Sequence, residues 1–130
     1  MKTTILFSTH AADLLRGQLR DLDHEELWAI YLGSGGTLLG AEMLTCGTLT
    51  STPIDARRLL KRALLSDATA VIMAHNHPSG CPTPSVSDIR ETRRVHDACR
   101  LLEITLLDHL IFGEDSFYSF AEEVTVGYRT

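Results

Sequence analysis

Residues 68–88 read ATAVIMAHNHPSGCPTPSVSD, and the opening third of that stretch sets the architecture. Segment 68–74 (ATAVIMA) is too short for a helix of such apolarity and rich enough in Val and Ile to be a buried central strand. A loop over 75–84 follows it, stiffened by Pro78, Pro82 and Pro84 and turned at Gly80. Working outward, 85–102 is predicted as a helix with Ile89, Thr92, Val95, Cys99 and Leu102 inward. Then come a strand over 104–112, a turn over 113–116 and a strand over 117–120. Upstream, Ser51-Thr52-Pro53 is expected to open a helix that buries Ile54, Leu59, Leu60, Ala63 and Leu64 and ends near Asp67. Apolar strands over 25–32 and 37–49 flank the hairpin turn Gly33-Ser34-Gly35-Gly36. A first helix over 9–22 places Leu14, Leu15, Leu19 and Leu22 at helical intervals behind a Thr9 cap. The order is that of an α/β domain, a mixed sheet with flanking helices and right-handed crossovers.

The chain has 130 residues and a mass of 14.4 kDa, the size of one domain with one core. A domain of this length buries roughly two thirds of its unfolded surface and needs no disulfide staples. At 44% hydrophobic and 22% charged it lies in the globular range. A net charge of -5 argues against wholesale binding to nucleic acid or an anionic membrane. Cys46, Cys81 and Cys99 are odd in number and lack C-x-x-C spacing, which reads as a reducing, cytoplasmic compartment. Ile5-Leu6-Phe7 is too short for a secretory leader, and no apolar run approaches the ~20 residues of a membrane helix.

Ligand sites in such sheets favour the loop leaving the carboxyl end of a buried strand. Here that loop begins His75-Asn76-His77. Residues i and i+2 of a strand share a face, so His75 and His77 can aim at one ion with Asn76 turned away. Zinc needs a further ligand, and Asp88 lies at the start of the next helix. Ser85-x-x-Asp88 is equally a capping box, so Asp88 stands between two readings, ligand and cap.

His75-Asn76-His77-Pro78, with Ser85 and Asp88 at their intervals, fits H-x-H-P-x6-S-x2-D and resembles the JAMM (MPN+/JAB) metalloproteases in every fixed residue. AHNHPSG, PTPS, D-I-x-x-T-R-R and L-L-D-H-L-I-F-G are similar to the RadC branch of that superfamily, from about Glu25 to Glu122. The resemblance implies a JAMM/MPN fold of the cytidine-deaminase-like kind over 25–130, with 1–24 as an N-terminal helical lead. It implies one zinc per chain held by His75, His77 and Asp88, with a fourth position left for water. A glutamate from an early strand acts as general base in the superfamily. Glu25 is the carry-over, with Glu26 its rival, and Ser85 is the implied oxyanion donor. The implied activity is a zinc-dependent hydrolase of peptide or isopeptide bonds, acting on an unidentified protein or peptide. The rivals are a non-catalytic interaction module and a DNA-repair-associated protein, although nucleic acid is not expected to bind this domain alone. Asn76 stands where many JAMM members carry Ser or Thr, a departure typical of the RadC branch.

Other features divide between chemistry and structure. Asp108-His109 reads either as a pair orienting a ligand or as a satisfied core histidine. Cys81 is either an exposed thiol or a further metal ligand. His10, His24 and His96 read as surface, and so do the cationic runs Arg57, Arg58, Lys61, Arg62 and Arg90, Arg93, Arg94.

Overall fold

In the computed structural model, which describes residues 3–47 and 54–128, the chain begins with α1 (Ser8–Leu19), β1 (Glu25–Leu32) and β2 (Leu38–Gly47). It continues through α2 (Ala56–Leu65), β3 (Ala70–Asn76), α3 (Val86–Leu101), β4 (Thr105–Phe112), β5 (Ser116–Ser119) and β6 (Val124–Gly127). The strands form one sheet in the order β2-β1-β3-β4-β5-β6. β3 and β4 run parallel with α3 between them in sequence, and every other neighbouring pair is antiparallel. This is the mixed α/β sheet expected from the sequence.

All seven residues of β3 are buried, as a central strand covered on both faces requires. Strand alternation divides the interior in two. Leu27, Ala29, Tyr31, Val71 and Met73 pack with Leu59 and Ala63 of α2 and with Val95 and Cys99 of α3. Ile30, Leu32, Ile72 and Ala74 turn the other way, onto Ala11, Ala12, Leu15 and Leu19 of α1. The single core expected from chain length is therefore two clusters, one on each face of the sheet. The His75 and His77 side chains leave β3 on the α2/α3 face.

Local differences from the sequence reading have physical causes. α1 begins at Ser8 without a side-chain cap, so Thr9 lies inside its first turn. Ala11 and Ala12, rather than Leu14 and Leu22, complete its buried face, because small side chains allow a helix to approach a sheet closely. α2 is capped by Asp55, whose carboxylate accepts from the Arg58 N–H at 3.1 Å, and Leu64 is exposed. The expected opening at Ser51-Thr52-Pro53, like the last two residues of the strand read over 37–49, falls outside the described residues. In α3, Ile89 and Leu102 are exposed instead of inward. At ~100° per residue Ile89 stands about 80° round the helix from Cys99, and Leu102 is the C-cap. β6 was not anticipated, since four mostly exposed residues at a sheet edge carry no hydrophobic alternation.

Candidate metal centre

β3 ends at Asn76, so His75 is held by the sheet while His77 is the first residue past it, anchored by its N–H to the Phe112 carbonyl at 3.0 Å. Eleven residues later Asp88 occupies the third position of α3, where its capping reading holds. Ser85 Oγ accepts from the Asp88 N–H at 3.0 Å, and Asp88 Oδ2 accepts from the Ser85 N–H at 2.8 Å, a complete capping box. The same carboxylate faces the histidines. Its Oδ1 lies 3.3 Å from His75 Nε2 and its Oδ2 3.1 Å from His77 Nε2, and the two Nε2 atoms are 3.2 Å apart. The cap thus aims the carboxylate at the histidines, so that capping and a place in the cluster do not compete.

The separations suit a small tetrahedral ion. Ligand atoms ~2.0–2.1 Å from zinc at tetrahedral angles sit about 3.3–3.4 Å from one another, close to the separation of the two Nε2 atoms and to that of each from its nearer Asp88 oxygen. The tautomer of His77 fits as well. Its Nδ1 lies 2.9 Å from the Cys81 carbonyl, which can only accept, so Nδ1 carries the hydrogen and the Nε2 lone pair faces the cluster. Burial pulls the His77 pKa down, but Asp88, the Cys81 carbonyl and the charge of Glu25 together lift it above its ordinary value. Burial likewise raises the Asp88 carboxyl, yet the His75 and His77 imidazoles beside it and the Ser85 N–H hold it well below the carboxylate range. His75, His77 and Asp88 therefore form a group that could hold a metal ion, with two imidazoles and one anion as donors.

The centre opens into a cleft of about 430 Å³ whose lining includes Glu25, His75, His77, Ser85 and Asp88. Glu25 shares the strand face of Leu27 and Ala29, the face from which the histidines project. Glu26 turns to the opposite face, where its carboxylate accepts from Trp28 Nε1 at 2.9 Å and meets His24 Nε2 at 2.7 Å. His24, read as unpartnered surface, is half-buried and bridges Glu26 and Asp23. The Asn76 side chain also leaves away from the cluster. It accepts from the Glu26 N–H and donates to the His24 carbonyl, both at 2.8 Å, fastening the head of β1 to the end of β3. Cys81 is an exposed thiol directed to Thr83 Oγ1 at 3.3 Å and lies outside the ligand group, so its part here is played by its backbone carbonyl.

The Asp108 and His109 side chains do not pair, and the Asp108 carboxylate meets its neighbour only at the His109 backbone N–H, 2.7 Å away. Asp108 is buried and accepts from the Ser119 hydroxyl and the Ala121 N–H, whereas the His109 ring reaches His75, with 2.7 Å between His109 Nε2 and His75 Nδ1. Sequence reading missed the next partner, Thr92, whose Oγ1 lies 2.6 Å from His109 Nδ1. The available signal was position alone: Thr92 follows Asp88 by four residues on a helix, and so shares its face. His10 and His96 keep local contacts, with the Leu6 N–H and with Asp97. Arg57, Arg58 and Lys61 are exposed, while Arg62 pairs with Glu42 at 2.9 Å.

The ligand loop is seated on the turn after β4. Gly80 takes φ +91°, the Glu114 N–H donates to its carbonyl at 2.9 Å, and Gly113 packs directly beneath. A Cβ on Gly113 would stand 2.7 Å from Pro82 Cδ, part of a rigid ring, and closer still to the Gly80 carbonyl oxygen of the backbone. Gly113→Ala is expected to destabilise the fold by about 1–3 kcal/mol, the usual cost of overpacking. It should also weaken metal binding by displacing Cys81 from His77. Urea denaturation and zinc titration of the variant measure the two effects, and parent-like values for both would show that the loop yields without strain.

Fold and cluster together define an α/β domain with a His-His-Asp candidate metal centre. The family model described as "RadC-like JAB domain" matches residues 5–125, and the chain belongs to that family. It is 45% identical over 116 residues to "UPF0758 protein YfjY" of Escherichia coli (strain K12), covering 88% of this chain and 72% of that protein. It is 38% identical over 120 residues to a "UPF0758 protein" of Desulforudis audaxviator, covering 92% of this chain and 52% of that one. Against "UPF0758 protein YkfG" of Escherichia coli (strain K12) the identity is 44%, over 88% of this chain and 73% of that protein. The chain spans about half the length of several other curated relatives that it matches. No helix among the described residues is long and apolar enough to cross a membrane.

Proposed function

We propose that this domain is a zinc-dependent hydrolase of the JAMM type that cleaves a peptide or isopeptide bond in a protein or peptide substrate. His75, His77 and Asp88 are its metal ligands, Glu25 its general base and Ser85 its oxyanion donor. The observation that carries the reading is the convergence of two imidazole nitrogens 3.2 Å apart with the two oxygens of one carboxylate, each 3.1–3.3 Å from one of them, in a cleft whose lining also includes Glu25 and Ser85. A divalent ion held by this set supplies Lewis acidity, lowering the pKa of water and polarising a carbonyl.

The chain's own groups supply the rest. The Glu25 carboxylate takes a proton from the attacking water and returns it to the departing amine, the double duty of a general acid–base group. Ser85 Oγ spends only a lone pair on the Asp88 N–H, so its hydrogen remains to donate to the oxygen on which charge develops. The capping box keeps that hydroxyl and the Asp88 carboxylate in fixed relation as the substrate changes.

The test is hydrolysis of a panel of peptides and lysine-ε-linked isopeptides by the zinc-loaded protein. Turnover that stops on chelation and returns with zinc is expected. A protein that retains stoichiometric zinc yet turns over none of the panel would favour the non-catalytic interaction module.

A further inference from the structure

We propose that Thr92 and His109 are positioning residues. They form a hydrogen-bond relay that fixes the His75 imidazole with its hydrogen on Nδ1 and its Nε2 lone pair on the metal cluster. The inference rests on the metal-ligand role of His75 and adds what holds that ligand in register. Its direction is dictated from the far end. The Thr92 hydroxyl lies 2.6 Å from the Asp88 backbone carbonyl, and a carbonyl can only accept, so the single Thr92 hydrogen is committed there. Thr92 Oγ1 must then accept from His109 Nδ1 at 2.6 Å, which places the His109 hydrogen on Nδ1 and leaves a lone pair on Nε2. That lone pair faces His75 Nδ1 at 2.7 Å, so His75 donates and keeps its own Nε2 lone pair free. Asp88 Oδ1 and His77 Nε2 lie 3.3 and 3.2 Å from that nitrogen.

The relay closes on itself through Asp88, whose carbonyl anchors one end and whose carboxylate meets the other. His109 is fully buried, and Phe120 stacks on its ring at 5.0 Å with 10° between the planes, so the ring is held in this orientation. Unlike His77, whose hydrogen is set by a carbonyl in its own loop, His75 is oriented through two further side chains from α3 and β4. The first turn of α3 and the end of β3 are thereby coupled, one carrying the carboxylate ligand and the other the imidazole.

Nitrogen-15 spectra of histidine-labelled, metal-free protein, at a pH of about 8.5 where ordinary imidazoles are neutral, read the tautomer directly. His75 is expected to show a protonated Nδ1 and a bare Nε2. The isosteric Thr92→Val removes the acceptor for His109, lets its hydrogen move to Nε2 and so pushes the His75 hydrogen onto its own Nε2. The His75 signals should exchange character, and zinc affinity should fall about 10- to 100-fold, the scale of an orienting group behind a metal ligand. Thr92→Ser, which keeps the hydroxyl, should restore both. A parent His75 protonated at Nε2 would overturn the relay without any variant, and so would unchanged zinc affinity in Thr92→Val. Failure of the parent to bind zinc, with the tautomer as stated, would instead remove the metal reading and leave the relay standing.

Discussion

His77→Ala is expected to purify without metal where the parent carries about one zinc per chain, because a tetrahedral site with three protein donors cannot hold zinc on two. The substitution leaves the sheet intact, since His77 lies beyond the last residue of β3 and is only partly buried. Asp88→Asn separates the two duties of that residue. The amide oxygen can still accept from the Ser85 N–H and preserve the capping box, while the anionic donor is gone. Zinc should be lost and helix content kept. Metal analysis by mass spectrometry and circular dichroism check the pair, and full zinc in His77→Ala would refute the ligand assignment. Protons should compete with the metal from above the ordinary imidazole value. An imidazole must be neutral to coordinate, and the His77 pKa is raised above 6.5 despite burial. The competent form therefore fills only above that raised value, and zinc affinity should fall as pH drops through it. In chelated protein the sign reverses for the His77 contribution to stability, which is present below the unfolded value and lost as pH rises through the folded one. Asp88, held low, contributes above the ordinary carboxylate range and loses that contribution in acid.

What the sequence made legible follows from the range of each interaction. The Val- and Ile-rich run before His75 announced a buried strand, the glycines after Leu32 announced a hairpin, and the mixed sheet followed from element order. The two histidines and Asp88 were legible because strand alternation and a helix start fix side-chain direction within a dozen residues. Contacts made across the sheet were not legible. Nothing local distinguishes Glu25 from Glu26. Only the pairing of Leu27 with His75, which sets β1 in register against β3, puts the odd-numbered residues of both strands on one face and turns Glu26 toward His24 and Trp28. The link from His109 to His75 spans 34 residues and two parallel strands, so a histidine in an apolar strand read more as packing than as chemistry. The exposure of Ile89 had a simpler origin: a helix on a sheet buries a stripe narrower than the apolar pattern suggested.

Glu25→Gln should bind zinc as the parent does and fold normally, yet lose hydrolysis by about 100- to 10,000-fold, the range usual for a positioned acid–base group. The amide preserves the size of the side chain and its capacity to hydrogen-bond, but it cannot take a proton from water at neutral pH. Because zinc content and helix content report the fold and the ligands separately, a fall in rate with both unchanged isolates the proton transfer. Glu26→Gln is the matched control. Its amide oxygen can still accept from Trp28 Nε1, and the side chain lies across the sheet from the cleft, so turnover close to that of the parent is expected. The His24 contact should weaken, since it joins an imidazole to a charged carboxylate at 2.7 Å. Rate constants for the two variants on one substrate decide between neighbouring residues that sequence alone leaves equal. A dead Glu26→Gln beside an active Glu25→Gln would move the base by one position. Full activity in both would mean that no carboxylate at the head of β1 carries the proton, and the acid–base account would have to be rebuilt from the remaining wall of the cleft, where Glu91 stands.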